Sequence, residues 1–135
     1  MVMIFLQVSI TAMSQKVLRY NADKKQLNIT TIDGTLTIIP LTDNAVRMIF
    51  SKQVYRVMPE LVYVENLKNP TFNVKENNDK VSICLKNMTI AVDRNTGLVV
   101  YLDKNGKQIL AENGRSLDHS FVGKEKTYIA EQHFV

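Results

Sequence analysis

Cysteine is nearly missing from this chain. Cys84 is the only one in 135 residues, which excludes an internal disulfide and every paired-cysteine zinc pattern. Histidine is almost as scarce: His119 and His133 stand alone, with neither HExxH nor HxH spacing, so no metal and no metal-centred chemistry is expected. Tryptophan is absent, and the five tyrosines are scattered. No serine sits in a GxSxG elbow and no glycine-rich loop is present to cradle a phosphate. Charge of one sign is not concentrated either. The net +4 is spread thinly, with Lys24-Lys25 and Lys124/Lys126 the densest spots, which fits a solvated surface and not a nucleic-acid stripe. The chain is also too short for a (β/α)8 barrel, which takes about 250 residues. It suits one domain, on a scale of about 100–200 residues each, able to bury about two-thirds of its unfolded surface.

What is present is alternation. Val81, Ile83 and Leu85 alternate with Ser82, Cys84 and Lys86. Met88, Ile90 and Val92 follow the same rule, as do Leu98, Val100 and Leu102. A period of two places each apolar set on one face of a sheet. Gln108 to Ala111 adds a fourth strand after Asn105-Gly106. The links are too short for parallel crossovers, so these strands form an antiparallel meander. Upstream, Leu27–Thr31 and Leu36–Ile38 flank Asp33-Gly34, a hairpin signal, and Val46–Phe50 follows as another strand. Turn signals recur at Thr42-Asp43-Asn44, Asn77-Asn78-Asp79, Asp93–Gly97, Asp103–Gly106 and Asn113-Gly114. The stretch 51–69 reads as a loop with a short strand near Leu61–Val64. No amphipathic helix is found. Short strands with such punctuation predict an all-β sandwich or barrel.

Residues 1–14 are read as the remnant of a secretory leader. The segment MVMIFLQVSITAM is apolar and ends in Ala12-Met13-Ser14, a small-residue cleavage pattern, although no basic residue precedes it. It is too short to span a membrane as a helix. The competing reading is a first strand, in which Val2, Ile4, Leu6, Val8 and Ile10 share a face. The leader reading places the protein in the periplasm or outside the cell.

The thirteen carboxylates do not nominate a catalytic pair for glycoside cleavage. Asp33, Asp43, Asp79, Asp93 and Asp103 sit in turns, where aspartate bonds the nearby backbone. Cys84 falls mid-strand and reads as a buried, inert thiol. Tyr55 and Tyr63, in the irregular segment, are the candidates for contact with a substrate, against the plainer reading of packing at a loop edge. Asn28-Ile29-Thr30 and Asn87-Met88-Thr89 match the N-glycosylation pattern, but both lie within expected strands and are discounted.

The order of segments is more specific than any of them singly. Leu36 to Phe50 (LTIIPLTDNAVRMIF) resembles a strand followed by D-x-hydrophobic-R-hydrophobic. Val81 to Ala111 places Lys86, Val92-Asp93, Thr96-Gly97, Asp103, Gly106-Lys107 and Ile109-Leu110 against the pattern K-x-hydrophobic, V-D-x-x-T-G-x-hydrophobic, D-x-x-G-K-x-L-hydrophobic, with Ile109 at the leucine position. Gly114-Arg115-Ser116 and Glu131-Gln132-His133-Phe134 extend the likeness. Together they resemble the N-terminal β-sandwich of glycoside hydrolase family 31, the α-glucosidase and α-xylosidase family. The resemblance implies a galactose-mutarotase-like antiparallel sandwich over residues 15–135, preceding a catalytic (β/α)8 barrel that holds the catalytic acids. The chain stops before that barrel and before the family's later G-L-G segment. It is therefore read as a fragment, with the barrel and an oligosaccharide as its expected partners, and no cofactor. No catalytic residue carries over. An incomplete sandwich is expected to expose edges and an apolar face and to associate. The rival readings are a free-standing carbohydrate- or protein-binding sandwich and an oligonucleotide-binding barrel. The missing aromatic-and-basic face counts against the latter.

Overall fold

The computed structural model describes residues 15–52 and 69–135. The leader segment 1–14, Tyr55, Tyr63 and the strand expected near Leu61–Val64 lie outside the described residues. The first sheet holds β1 (Val17–Ala22), β2 (Leu27–Thr31), β3 (Thr35–Thr42) and β4 (Ala45–Ser51), side by side in chain order. The second holds β5 (Asn73–Glu76), β6 (Lys80–Cys84), β7 (Met88–Asp93), β8 (Val99–Asp103), β9 (Gln108–Val122) and β10 (Glu125–Phe134), again in chain order. Every pairing is antiparallel. No helix occurs among the described residues.

Alternation builds the core. Leu27 and Ile29 on β2 and Leu36 and Ile38 on β3 point to the same side and are buried. Val81 and Ile83 on β6, Ile90 and Val92 on β7 and Val99 on β8 face them from the second sheet, and all nine join Val17 in one cluster. Each such side chain stabilises the fold by about 1.5–3 kcal/mol through burial. The two layers therefore form an antiparallel β-sandwich, as the period-two pattern predicts.

The turns follow from their residues. Asp93 Oδ1 accepts the backbone N–H groups of Asn95 and Thr96, both at 2.9 Å, and the Thr96 hydroxyl at 3.1 Å. Gly97 closes that turn at φ +68, and a Cβ there would overlap the Gln15 carbonyl that crosses it. Asp103 Oδ1 accepts Asn105 N–H at 2.8 Å and Lys107 N–H at 2.9 Å, with Gly106 at φ +81. The V-D-x-x-T-G and D-x-x-G-K strings are thus two aspartate-capped turns, each completed by a left-handed glycine.

Five features depart from the sequence reading. On β8 it is Val99 that faces the core, while Val100 and Leu102, from the set singled out by alternation, are half-buried on the other face. β1 and β5 were not expected, because apart from Val17 both are exposed or half-buried and show little apolar alternation. Asn113-Gly114, expected as a turn, lies inside β9, which runs on to Val122 and returns as β10. Asn87 is not within a strand but in the turn between β6 and β7, where its Nδ2 donates to Asn44 Oδ1 at 2.8 Å. Cys84 is the last residue of β6 and is half-buried, not enclosed.

Candidate functional site

The polar centre of the molecule lies where β9 leaves β8. Only the first part of β9 pairs with β8, up to Ala111 opposite Val100. Glu112 comes next, and its side chain is fully buried. Its Oε2 accepts the Val99 N–H at 3.0 Å, so a side chain takes over from the backbone ladder there. Its Oε1 accepts Gln132 Nε2 at 2.8 Å and lies 3.1 Å from Arg115 Nε. The Arg115 side chain is 6% exposed. Its Nη2 donates to the Gly97 carbonyl at 2.7 Å, and its guanidinium lies 4.7 Å from the centre of the Phe50 ring on β4. Gln15 Nε2 donates to the Arg115 carbonyl at 3.1 Å.

This cluster joins five separate stretches of chain: the entry at Gln15, the end of β4, the Gly97 turn, β9 and β10. Arg115 Nε and Nη1 and Gln15 Oε1 are buried without a hydrogen-bond partner. The Nε contact to Glu112 is close but not aligned for a hydrogen bond, so it acts as a charge contact. The face of Phe50 supplies a further attraction for the guanidinium. Burial lowers the Arg115 pKa, and the Glu112 carboxylate opposes that shift. Beside the cluster, the Tyr101 hydroxyl donates to Met48 Sδ at 3.0 Å. Burial raises the Tyr101 pKa, and the Glu112 carboxylate adds to the effect.

A cleft of about 350 Å³ opens next to these groups, lined by Phe50, Arg115, Ser116, Leu117, Ala130, Glu131 and Gln132. Two of the strings singled out in the sequence, Gly114-Arg115-Ser116 and Glu131–Phe134, therefore meet here across the β9–β10 pairing. Glu112, Gln15 and Phe50 carried no sequence signal, because each acquires its role only through contacts with distant residues. The chemistry of the site is that of a clamp. Glu112, its buried carboxylate, already accepts two hydrogen bonds and faces the Arg115 guanidinium, while the Glu131 side chain is 62% exposed. No group of three or more His, Cys, Asp or Glu residues able to hold a metal occurs among the described residues. Tyr55 and Tyr63, the candidate ligand contacts, lie outside the described residues.

The fold defines the class: a two-sheet antiparallel sandwich whose described polar centre ties strands together. No family model and no curated protein matches the chain. Among solved structures, the GH31 α-xylosidase from Xanthomonas citri shares this fold, with a TM-score of 0.75 and 20% sequence identity. The match covers 85% of this chain and 13% of that enzyme. The likeness read from strands and turns in the sequence is thus met by a likeness in three dimensions.

Proposed function

We propose that this chain is the non-catalytic, galactose-mutarotase-like N-terminal domain of an α-glycoside hydrolase of the α-glucosidase or α-xylosidase type. In this reading residues 15–135 pack on a catalytic (β/α)8 barrel elsewhere in the full enzyme, and residues 1–14 are a leader that directs it to the periplasm or beyond. The observation that carries the reading is the structural match itself, which takes up nearly all of this chain yet only a small part of a GH31 enzyme. In this reading Glu112 and Arg115 serve to hold strands in place.

Reading the DNA beyond the codon for Val135 tests the parentage. A barrel encoded in frame, or one frameshift away, is the expected result, and an unrelated gene there defeats the proposal. The pure chain is expected to release no aryl alcohol from an aryl α-xyloside or α-glucoside. Turnover that disappears on replacing one of its own carboxylates would show a reaction centre that this reading denies.

A further inference from the structure

We infer that the outer edge of β10 is a self-pairing surface through which two copies of this chain join their six-stranded sheets. Edge strands present unpaired N–H and C=O groups, and folded proteins usually blunt them. Here β1 is bulged between Val17 and Arg19, β5 has four residues, and β4 has seven. β10 has ten, and from Glu125 to His133 it runs opposite β9 without a bulge or a proline. It is the outermost strand of its sheet among the described residues.

The hairpin geometry fixes which groups are free. Val122 pairs with Glu125 across the two-residue turn Gly123-Lys124, with Gly123 at φ +64. The residues flanking such a turn form a hydrogen-bonded pair, and bonded and non-bonded pairs then alternate. Val135 and Ala111 exchange both backbone bonds further along, at 2.9 and 2.8 Å, in step with that alternation. Glu125, Thr127, Ile129 and Glu131 therefore turn their backbone groups toward β9. Lys126, Tyr128, Ala130 and Gln132 turn theirs outward.

A two-fold axis through Ile129 sets these free groups against each other. Tyr128 then exchanges bonds with Ala130 of the second copy, and Lys126 with Gln132 of the second copy. The two Ile129 side chains, each 53% exposed in the single chain, meet at the close, non-bonded position. Glu125 falls opposite His133 of the second copy. The neighbouring registers fit less well. Centring on Tyr128 places Glu125 against Glu131, and like charges directly opposite destabilise a pair. Centring on Ala130 places Ile129 against Glu131. The strand is self-complementary in one register, which is what an isologous contact requires. This inference rests on the edge alone and does not depend on the glycosidase reading.

Light scattering on the eluting full chain, loaded at about 0.3 mM to suit an interface this small, decides the matter. The expected mass is twice 15.4 kDa. Ala130→Pro removes an outward N–H while sparing the ladder to β9, and Ile129→Lys sets two like charges at the axis. Both are expected to give the single-chain mass with an unchanged far-ultraviolet circular dichroism spectrum. A wild-type monomer, aggregates without a discrete dimer, or a dimer that survives both substitutions overturns the inference.

Discussion

Glu112 and Arg115 are three residues apart on one strand, yet their side chains meet at 3.1 Å. In a regular strand residues i and i+3 point to opposite faces. Here His133 pairs with Gly114 and Phe134 with Glu112, so Asn113 is the extra residue of a bulge. One unpaired residue rephases the strand and brings the carboxylate and the guanidinium to the same side.

Breaking that pair from one side should be costly. Glu112→Ala leaves a buried guanidinium without its counter-charge and the Val99 N–H without an acceptor, for a loss of about 3–5 kcal/mol. Arg115→Met leaves the carboxylate in the same position. The double variant is expected to lose distinctly less than the two singles combined, measured by urea unfolding. Additive losses would show that the two groups do not interact.

The two turn glycines should answer differently to the same change. Both hold left-handed φ values, +68 at Gly97 and +81 at Gly106. Gly106→Ala enters open space and should cost about 1–2 kcal/mol from backbone strain alone. Gly97→Ala must also displace the Gln15 carbonyl, so its loss should clearly exceed that of Gly106→Ala. Equal losses would mean that the crossing of Gln15 over the turn does not constrain it.

The inner layer should dominate stability. Ile90 is fully buried between the sheets, whereas Ile109 is 62% exposed. Ile90→Ala is expected to cost about 2–5 kcal/mol, and Ile109→Ala to stay within about 0.5 kcal/mol of the parent. Equilibrium denaturation of both variants checks this, and a reversed order would contradict the assigned core.

Acid should loosen the capped turns. Burial pushes the Asp93 carboxyl upward, but the N–H groups of Thr96 and Asn95 outweigh it and leave the pKa below the ordinary 3.8. At Asp103 the Lys107 N–H leads the lowering, with Asn105 adding to it against some desolvation. A depressed folded-state pKa means that the unfolded chain takes up the proton first. The stabilisation is present above the ordinary aspartate value and is lost as the pH falls through the folded one. Stability should therefore fall below about pH 4, and the fall should be shallower in the Asp93→Asn, Asp103→Asn double variant. An unchanged slope in that variant would assign the acid sensitivity to other groups.

Legibility in the sequence tracked locality. Ile83, Ile90 and Val92 announced their strands because alternation is written in neighbouring residues. Asp93 with Gly97, and Asp103 with Gly106, announced their turns because each cap reaches only a few positions. Asn113-Gly114 misled, since the same dipeptide that closes a turn also serves as a bulge within a strand. The arm from Glu112 to Phe134 was silent because most of its side chains remain outside the core, leaving no apolar face to repeat.

Sequence alone therefore determined the all-β class, the central meander, the Asp33-Gly34 hairpin and the capped turns, all of which depend on side-chain period and on backbone preferences a few residues long. Only the tertiary structure decided that Glu112, Arg115, Gln132, Gln15 and Phe50 converge, and that β10 stands as a long outer edge. Those relationships join residues as far as a hundred positions apart, Gln15 to Arg115 among them. They arise when two sheets stack and a bulge shifts the phase of one strand, an outcome that no local pattern encodes.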